Sequence, residues 1–435
     1  MLPDTIKIDE DFIVCRTSGT DVVFPDMHGK RPTSTVDNLQ ALLNHYGITI
    51  GYNVISKKIV TKGLNTLGDL SEEASLQMIC SLASKHSLPE SATNKIPIIA
   101  SSNSFNPVLD YFQSKKWDGA SRLLDFYKTV TVAANEIDYR NKVLRMWMIQ
   151  CAAAADGAET TPNTEAIGKF ESILAFQGGQ GANKTMWFRS LVDRLLSDYL
   201  LDGASLNPSN KDSVLSVIAH WLVELGELDA TIRKSDIAEL KAFLSKVTDK
   251  LRVPYGRRDC TFKRRTSMFA SVNPTGFLVD PTGSRRIVPL RILAATPLPS
   301  TLNRQQLWAE FYHYYLEGEQ WWPTIELALE IAQYSNEHQM LSPIDEAIAS
   351  LYDLTQTRHG TDIKALSCTQ ILKAIGRDKP TKTERNEVAE LLRKYGFKSV
   401  AMSGYSGYRL VEHDSQATYL TNTKSYAEAY KKLSS

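Results

Sequence analysis

Apolar positions follow two rhythms along this chain, and the changes between them divide it. Near the start, Leu39, Leu42 and Leu43 recur at helical spacing and stop before Gly47. Residues 48–60 alternate as a strand does, and 72–84 return to the helical period. Polar Ser91 to Lys95, followed by Pro97, marks a boundary. Residues 107–155 are mainly helical, with Leu123, Leu124 and Tyr127 on one short face and a long helix over 138–155; small and polar residues at 156–164 form a linker. From there short apolar runs alternate with helical ones. Strands are predicted at 171–177, 220–225, 266–272 and 287–292, with helices at 186–199, 211–219 and 235–247. That alternation predicts a largely parallel sheet covered on both faces. In the first of these helices Phe188, Leu191, Val192, Leu195 and Tyr199 are expected to share one buried face.

After Pro299 the helical period returns at 305–316 and 325–336. Beyond Met340 to Pro343 come three short helical patterns, at 344–354, 368–375 and 382–395. A hairpin then pairs 398–402 with 408–411 through 403–407, the layout of a winged helix. The expected organisation is a mixed α/β domain at 1–100, a helical region at 101–165, an α/β core at 166–300, a helical extension at 301–340 and a winged-helix-like domain at 341–435.

Composition narrows the class only modestly. The 435 residues are 43% hydrophobic and 23% charged, ordinary for a water-soluble multidomain protein, and a net charge of +1 makes any nucleic-acid surface local. The five cysteines are scattered and never form a C-x-x-C pair, which disfavours a disulfide framework or a zinc site and suits a reducing cytoplasm. No stretch approaches a membrane span, and Met1 to Asp4 opens no secretory signal.

The candidate chemistry begins between the first core strand and its helix. Gly178, Gly179, Gln180, Gly181, Ala182, Asn183, Lys184 and Thr185 have the strand–loop–helix layout of a phosphate-binding loop. Glycines let backbone N–H groups converge on phosphate oxygens, the Lys184 ammonium reaches the β/γ-phosphates of ATP, and the Thr185 hydroxyl ligates Mg²⁺. Asn183 stands where the pattern has glycine. Asn is the side chain that best tolerates positive φ, so the loop is expected to close.

The residues that follow come in a telling order. Glu224 and Glu227 end the next apolar strand, where a nucleotide hydrolase needs one acid on the Mg²⁺ shell and one to orient or deprotonate water. Glu224 suits the first role and Glu227 the second, with Asp229 a weaker candidate. Asn273 ends a further strand and can position the lytic water. Arg285 and Arg286 precede the last strand, where an inserted guanidinium contributes about 10³–10⁵ in rate. Between the acids and Asn273 runs a basic stretch, 250–265, with Tyr255 and Phe262 interleaved. Its Arg257, Arg258 and Lys263 suit contact with single-stranded DNA.

Taken together these residues resemble the virulence-associated protein E family, phage and genomic-island replication proteins with a superfamily 3 helicase-like core. The resemblance rests on Trp117-Asp118-Gly119, the loop 178–185, Glu224 to Leu228, Leu240 to Phe243, Arg252 to Arg257 and Asp280 to Arg286. It implies an AAA+-like P-loop NTPase core assembled as a ring, a homo-hexamer, with nucleotide between subunits and Arg285 or Arg286 acting on the neighbour's ATP. It also implies a hairpin entering the central channel with Arg257 and Arg258 at its tip. The expected function is an ATP- and Mg²⁺-dependent DNA helicase or replication initiator in the bacterial cytoplasm, with single-stranded DNA in the channel and duplex origin DNA on the carboxy-terminal domain. The alternative is an ATP-regulated DNA-binding switch without unwinding activity.

Overall fold

A computed structural model describes residues 21–64, 71–160, 162, 170–226, 234–251, 259–272, 286–337, 343–354, 365–402 and 405–411. The chain forms two compact units, Met1–Ala332 and Gln333–Ser435.

The first unit opens with a short ribbon, β1 (Met27–His28) and β2 (Arg31–Pro32), and α1 (Val36–His45). Thr35 caps α1 by accepting from the Asn38 amide, and Leu39, Leu42 and Leu43 face inward as their spacing predicts. The alternating stretch proves to be a hairpin, β3 (Thr49–Asn53) and β4 (Lys58–Lys62). Helices α2 (Ser71–Lys85) and α3 (Ile96–Ser102) follow, then β5 (Ser104–Phe105), parallel to β3. The polar residues at 91–95 lie in a 3₁₀ turn, Glu90–Lys95, that feeds α3 into the same core through Ala92, Ile96 and Ile99. Pro97 sits in the first turn of α3, where a missing N–H leaves no helical bond unmade.

Next come α4 (Pro107–Gln113), α5 (Leu123–Lys128), β6 (Val130–Thr131) and the long α6 (Ile137–Asp156). Almost all of the second half of α6 is buried, because it is laid against the sheet it precedes. The Trp147 indole donates to the Met268 carbonyl at 2.9 Å, and Gln150 exchanges hydrogen bonds with the Ser172 backbone. Gly157 ends the helix at φ 73°, where a Cβ would lie 2.8 Å from Nη1 of Arg265.

The core alternates β7 (Ile173–Gln177), α7 (Lys184–Arg189), β8 (Leu200–Ala204), α8 (Lys211–Ile218), β9 (Leu222–Leu225) and α9 (Lys234–Leu244). A two-stranded ribbon, β10 (Thr248–Leu251) and β11 (Cys260–Lys263), interrupts it before β12 (Ser267–Val272), β13 (Ile287–Arg291) and β14 (Ala294–Ala295). Five strands form one sheet in the order β13-β7-β12-β9-β8, every neighbour parallel, as the alternation predicts. The edge strand β8 was not predicted, since Asp202 and Gly203 interrupt its apolar run and it is only half buried.

The predicted helix over 186–199 is corrected. α7 stops at Arg189, and a separate 3₁₀ turn, Arg194–Tyr199, follows. The Ser190 carbonyl accepts from Nε of Arg304 at 2.8 Å, and Asp193 starts the new turn by accepting from the Leu195 amide. The break rotates the later residues, so Leu195 is 76% exposed while Leu196 is 1% exposed.

Helices α10 (Arg304–Leu316) and α11 (Ile325–Glu337) follow the sheet. Trp117-Asp118-Gly119 is a seat on α10. Gly119 takes φ 82°, the Asp118 amide donates to Oε1 of Gln306, and Ser121 Oγ and the Arg122 amide donate to Glu310 at 2.6 and 2.8 Å. Glu310 is fully buried, so the motif satisfies a carboxylate rather than a substrate.

The second unit holds α12 (Pro343–Leu351), α13 (Cys368–Ala374), α14 (Lys382–Lys394) and the ribbon β15 (Val400–Met402) and β16 (Tyr405–Gly407). Reciprocal Ser367–Gln370 and Thr381–Glu384 boxes start α13 and α14. The second strand of the hairpin comes earlier than expected: Val400 pairs with Gly407 and Met402 with Tyr405, and Tyr408 bridges Leu366 instead. Among the described residues no helix is long and apolar enough to cross a membrane.

Candidate nucleotide site and basic hairpin

The loop 178–185 leaves the carboxyl end of β7, a fully buried strand between β13 and β12. It is held from behind. The Gly178 amide donates to the Val272 carbonyl, Ile292 donates to the Gln177 carbonyl, and Ala295 donates to the Ala182 carbonyl at 2.9 Å. At Gly178 a Cβ would lie 2.9 Å from the Ile292 carbonyl oxygen, so no larger residue fits. Gly179, Gln180 and Gly181 are exposed, as a ligand-facing rim requires.

Asn183 closes the loop at φ 56°, ψ 29°, the left-handed conformation its side chain was expected to tolerate. Its replacement should therefore discriminate: Asn183→Gly is expected to leave stability within about 0.5 kcal/mol, whereas Asn183→Ala costs about 1 kcal/mol. Urea melts of the two variants measure this, and equal losses would refute it.

The Lys184 ammonium lies 2.7 Å from the Gly178 carbonyl and 3.2 Å from that of Gly179, folded over its own loop. One residue on, the Thr185 hydroxyl donates to Oε1 of Glu224 at 2.7 Å. Ser271 Oγ donates to the same oxygen at 2.8 Å. Glu224 is 2% exposed, yet among the described residues its Oε2 has no hydrogen-bond partner. A buried carboxylate with one free oxygen, flanked by hydroxyls, is a set of hard oxygen donors that suits Mg²⁺. Ser271 is not singled out by the sequence; its signal is the strand period, which puts it on the same face of β12 as Phe269.

Glu227, Asn273, Arg285, Arg257 and Arg258, with Asp229, lie outside the described residues. Arg286 is placed: its Nε donates to Glu171 at 2.6 Å within the same chain. Lys263 ends β11, its ammonium 3.0 Å from Glu159.

Beneath the basic run, arginines serve the fold. Arg264, 1% exposed, makes paired hydrogen bonds to Asp249 at 2.9 and 2.8 Å, donates to the Phe243 carbonyl and stacks 4.1 Å from the Phe243 ring. Arg265 donates to the Ala155 carbonyl and to Glu159. Of the basic side chains in this run, these two hold the ribbon's base rather than reaching solvent.

The β3–β4 turn also inserts here. Lys57 donates to the Val54 carbonyl at 2.5 Å and lies 3.4 Å from the Lys263 carbonyl. Burial, then the nearby Arg265 charge, lowers its pKa from 10.5 to about 7. The unfolded chain therefore holds one more proton between about pH 7 and 10.5. Lys57 contributes most above that window, and its contribution falls as pH drops through it. Relative to Lys57→Met, the native protein should gain about 2 kcal/mol of stability between pH 7 and pH 9, read from paired denaturant melts. Parallel curves would sink the assignment.

Residues 112–340 match the virulence-associated protein E-like domain. No curated protein matches. Among solved structures, the A form apo structure of the NrS-1 C-terminal region is 15% identical, covers 86% of this chain and 99% of that one, and has a TM-score of 0.45. The apo structure of the same region is 14% identical, with coverage of 86% and 98% and a TM-score of 0.43. The family match takes in more than half of the chain, including every strand of the parallel sheet and the loop behind it, and the chain belongs to the virulence-associated protein E-like family.

Proposed function

We propose that this chain is an ATP- and Mg²⁺-dependent DNA helicase or replication initiator of phage or mobile-element origin, built on an AAA+-like P-loop core. The carrying observation is the Thr185–Glu224–Ser271 cluster behind the loop, with one buried carboxylate oxygen that has no hydrogen-bond partner among the described residues. Strand β12 separates the loop strand from the acid strand, opening space at their carboxyl ends between phosphate and acid.

In this reading the exposed loop amides and Lys184 bind the phosphates, while Thr185 and Glu224 hold Mg²⁺. The ion supplies charge neutralisation on the phosphate oxygens. Glu227 takes the proton from the attacking water and Asn273 orients that water. Glu171 engages Arg286, which favours Arg285 as the guanidinium that acts on the neighbour's nucleotide across the interface of a homo-hexameric ring. Arg257 and Arg258 contact single-stranded DNA in the channel, with Lys263 at the ribbon's base, and the carboxy-terminal unit acts as a winged-helix-like reader of duplex DNA.

Lys184→Ala should abolish DNA-stimulated ATP hydrolysis and strand displacement on forked DNA, leaving the fold intact by circular dichroism. Undiminished turnover in that variant would end the reading. ATP hydrolysis without strand displacement by the native protein would instead favour the switch.

A further inference from the structure

The small sheet formed by β3, β4 and β5 has two unlike faces. Ile50, Tyr52 and Ile59 face α2 and α3 and join their apolar core. Strand register puts Thr49, Gly51, Asn53, Lys58, Val60, Lys62 and Phe105 on the opposite face. That face carries no carboxylate among its strand residues. Lys58 and Lys62 are exposed at the two ends of β4, about 13 Å apart at ~3.3 Å per residue, far enough to meet separate phosphates of one strand.

The aromatic of this face, Phe105 on β5 across β3 from the two lysines, is laid flat by a glycine. A Cβ at Gly51 would come within 3.1 Å of Cδ1 and Cε1 of Phe105, so the ring rests directly on the strand's backbone. The Lys62 ammonium lies over the ring, 5.9 Å from the centroid. An exposed cation–π contact is worth about twofold to fivefold in an equilibrium, whereas stacking a base on such a ring is worth about fivefold to a hundredfold. A base therefore displaces Lys62, which is then free to meet a phosphate. At the far end of the face, Asn53 donates to the Tyr199 hydroxyl just ahead of the edge strand β8, so the platform adjoins the core.

We infer that this face is a second nucleic-acid site, a stacking platform for single-stranded DNA, with Phe105 under a base and Lys58 and Lys62 on flanking phosphates. It is independent of nucleotide chemistry. The probe is fluorescein-labelled dT₂₀ bound to the full chain without nucleotide, followed by anisotropy over a salt series. The Lys58→Glu/Lys62→Glu double variant should weaken binding at least about tenfold and reduce the salt slope by about 1.4. Phe105→Leu should weaken it about tenfold with the slope unchanged. The double variant alters only exposed side chains, so it serves as the test even where Phe105→Leu fails to fold. Native affinity and slope in that double variant would overturn the proposal, as would a slope change without loss of affinity.

Discussion

Glu224→Gln should reduce Mg²⁺-dependent ATP hydrolysis by about 10²–10⁴-fold while leaving nucleotide-free folding nearly intact. Oε1 of Glu224 accepts from both Thr185 and Ser271, and the amide oxygen of Gln can keep both bonds. The other position changes sign: an oxygen without a partner becomes an NH₂ donor aimed at the place a cation would occupy. Loss of that ligand and its charge removes electrostatic stabilisation of the transferring phosphoryl group. The structural penalty is one poorly satisfied amide, about 1–3 kcal/mol. Isothermal titration with ATP, with and without Mg²⁺, separates the two terms. A variant that retains native turnover and native Mg²⁺ dependence would remove Glu224 from the site.

Asp249→Ala should destabilise the first unit by about 3–5 kcal/mol, because it strands the buried Arg264 guanidinium. The pair is almost inaccessible to solvent, with side-chain exposures of 1% and 2%, so water cannot replace the lost carboxylate. Breaking one partner is worse than removing both. Asp249→Leu with Arg264→Met should recover most of the loss, since apolar side chains of similar size leave no buried charge. Guanidinium melts of the single and double variants give the coupling directly. A single-variant cost below about 1 kcal/mol would show that Arg264 finds other partners. Because this pair ties β10 to the residue that follows β11, the single variant should also loosen the base of the β10–β11 ribbon before the sheet itself unfolds.

The helices and strands were legible wherever a single period ran undisturbed. The long α6, the buried β7 and the parallel sheet all follow from apolar spacing alone. So does the loop at 178–185, because glycines, Lys and Thr at fixed offsets have one strong physical reading. The local pattern misleads where a contact from far along the chain overrides it. The helix expected over 186–199 is cut because Arg304, over a hundred residues later, takes the Ser190 carbonyl. Edge strand β8 was invisible, since a half-buried strand bearing Asp202 and Gly203 has no apolar signature.

Charge was read least well. The run 250–265 shows its basic residues as equals, yet Arg264 and Arg265 turn inward to Asp249, Glu159 and backbone carbonyls. The paired arginines at 285 and 286 are likewise indistinguishable by type, and only the fold brings Glu171 to Arg286. Sequence by itself determined the element periods, the glycine-rich loop between strand and helix and the presence of Glu224 on a later strand, because these depend on neighbours along the chain. Tertiary structure alone decided that Ser271 joins Thr185 at Glu224, and which cations are committed to the interior. Those outcomes depend on burial and on partners brought together by strand order, neither of which is written into local spacing.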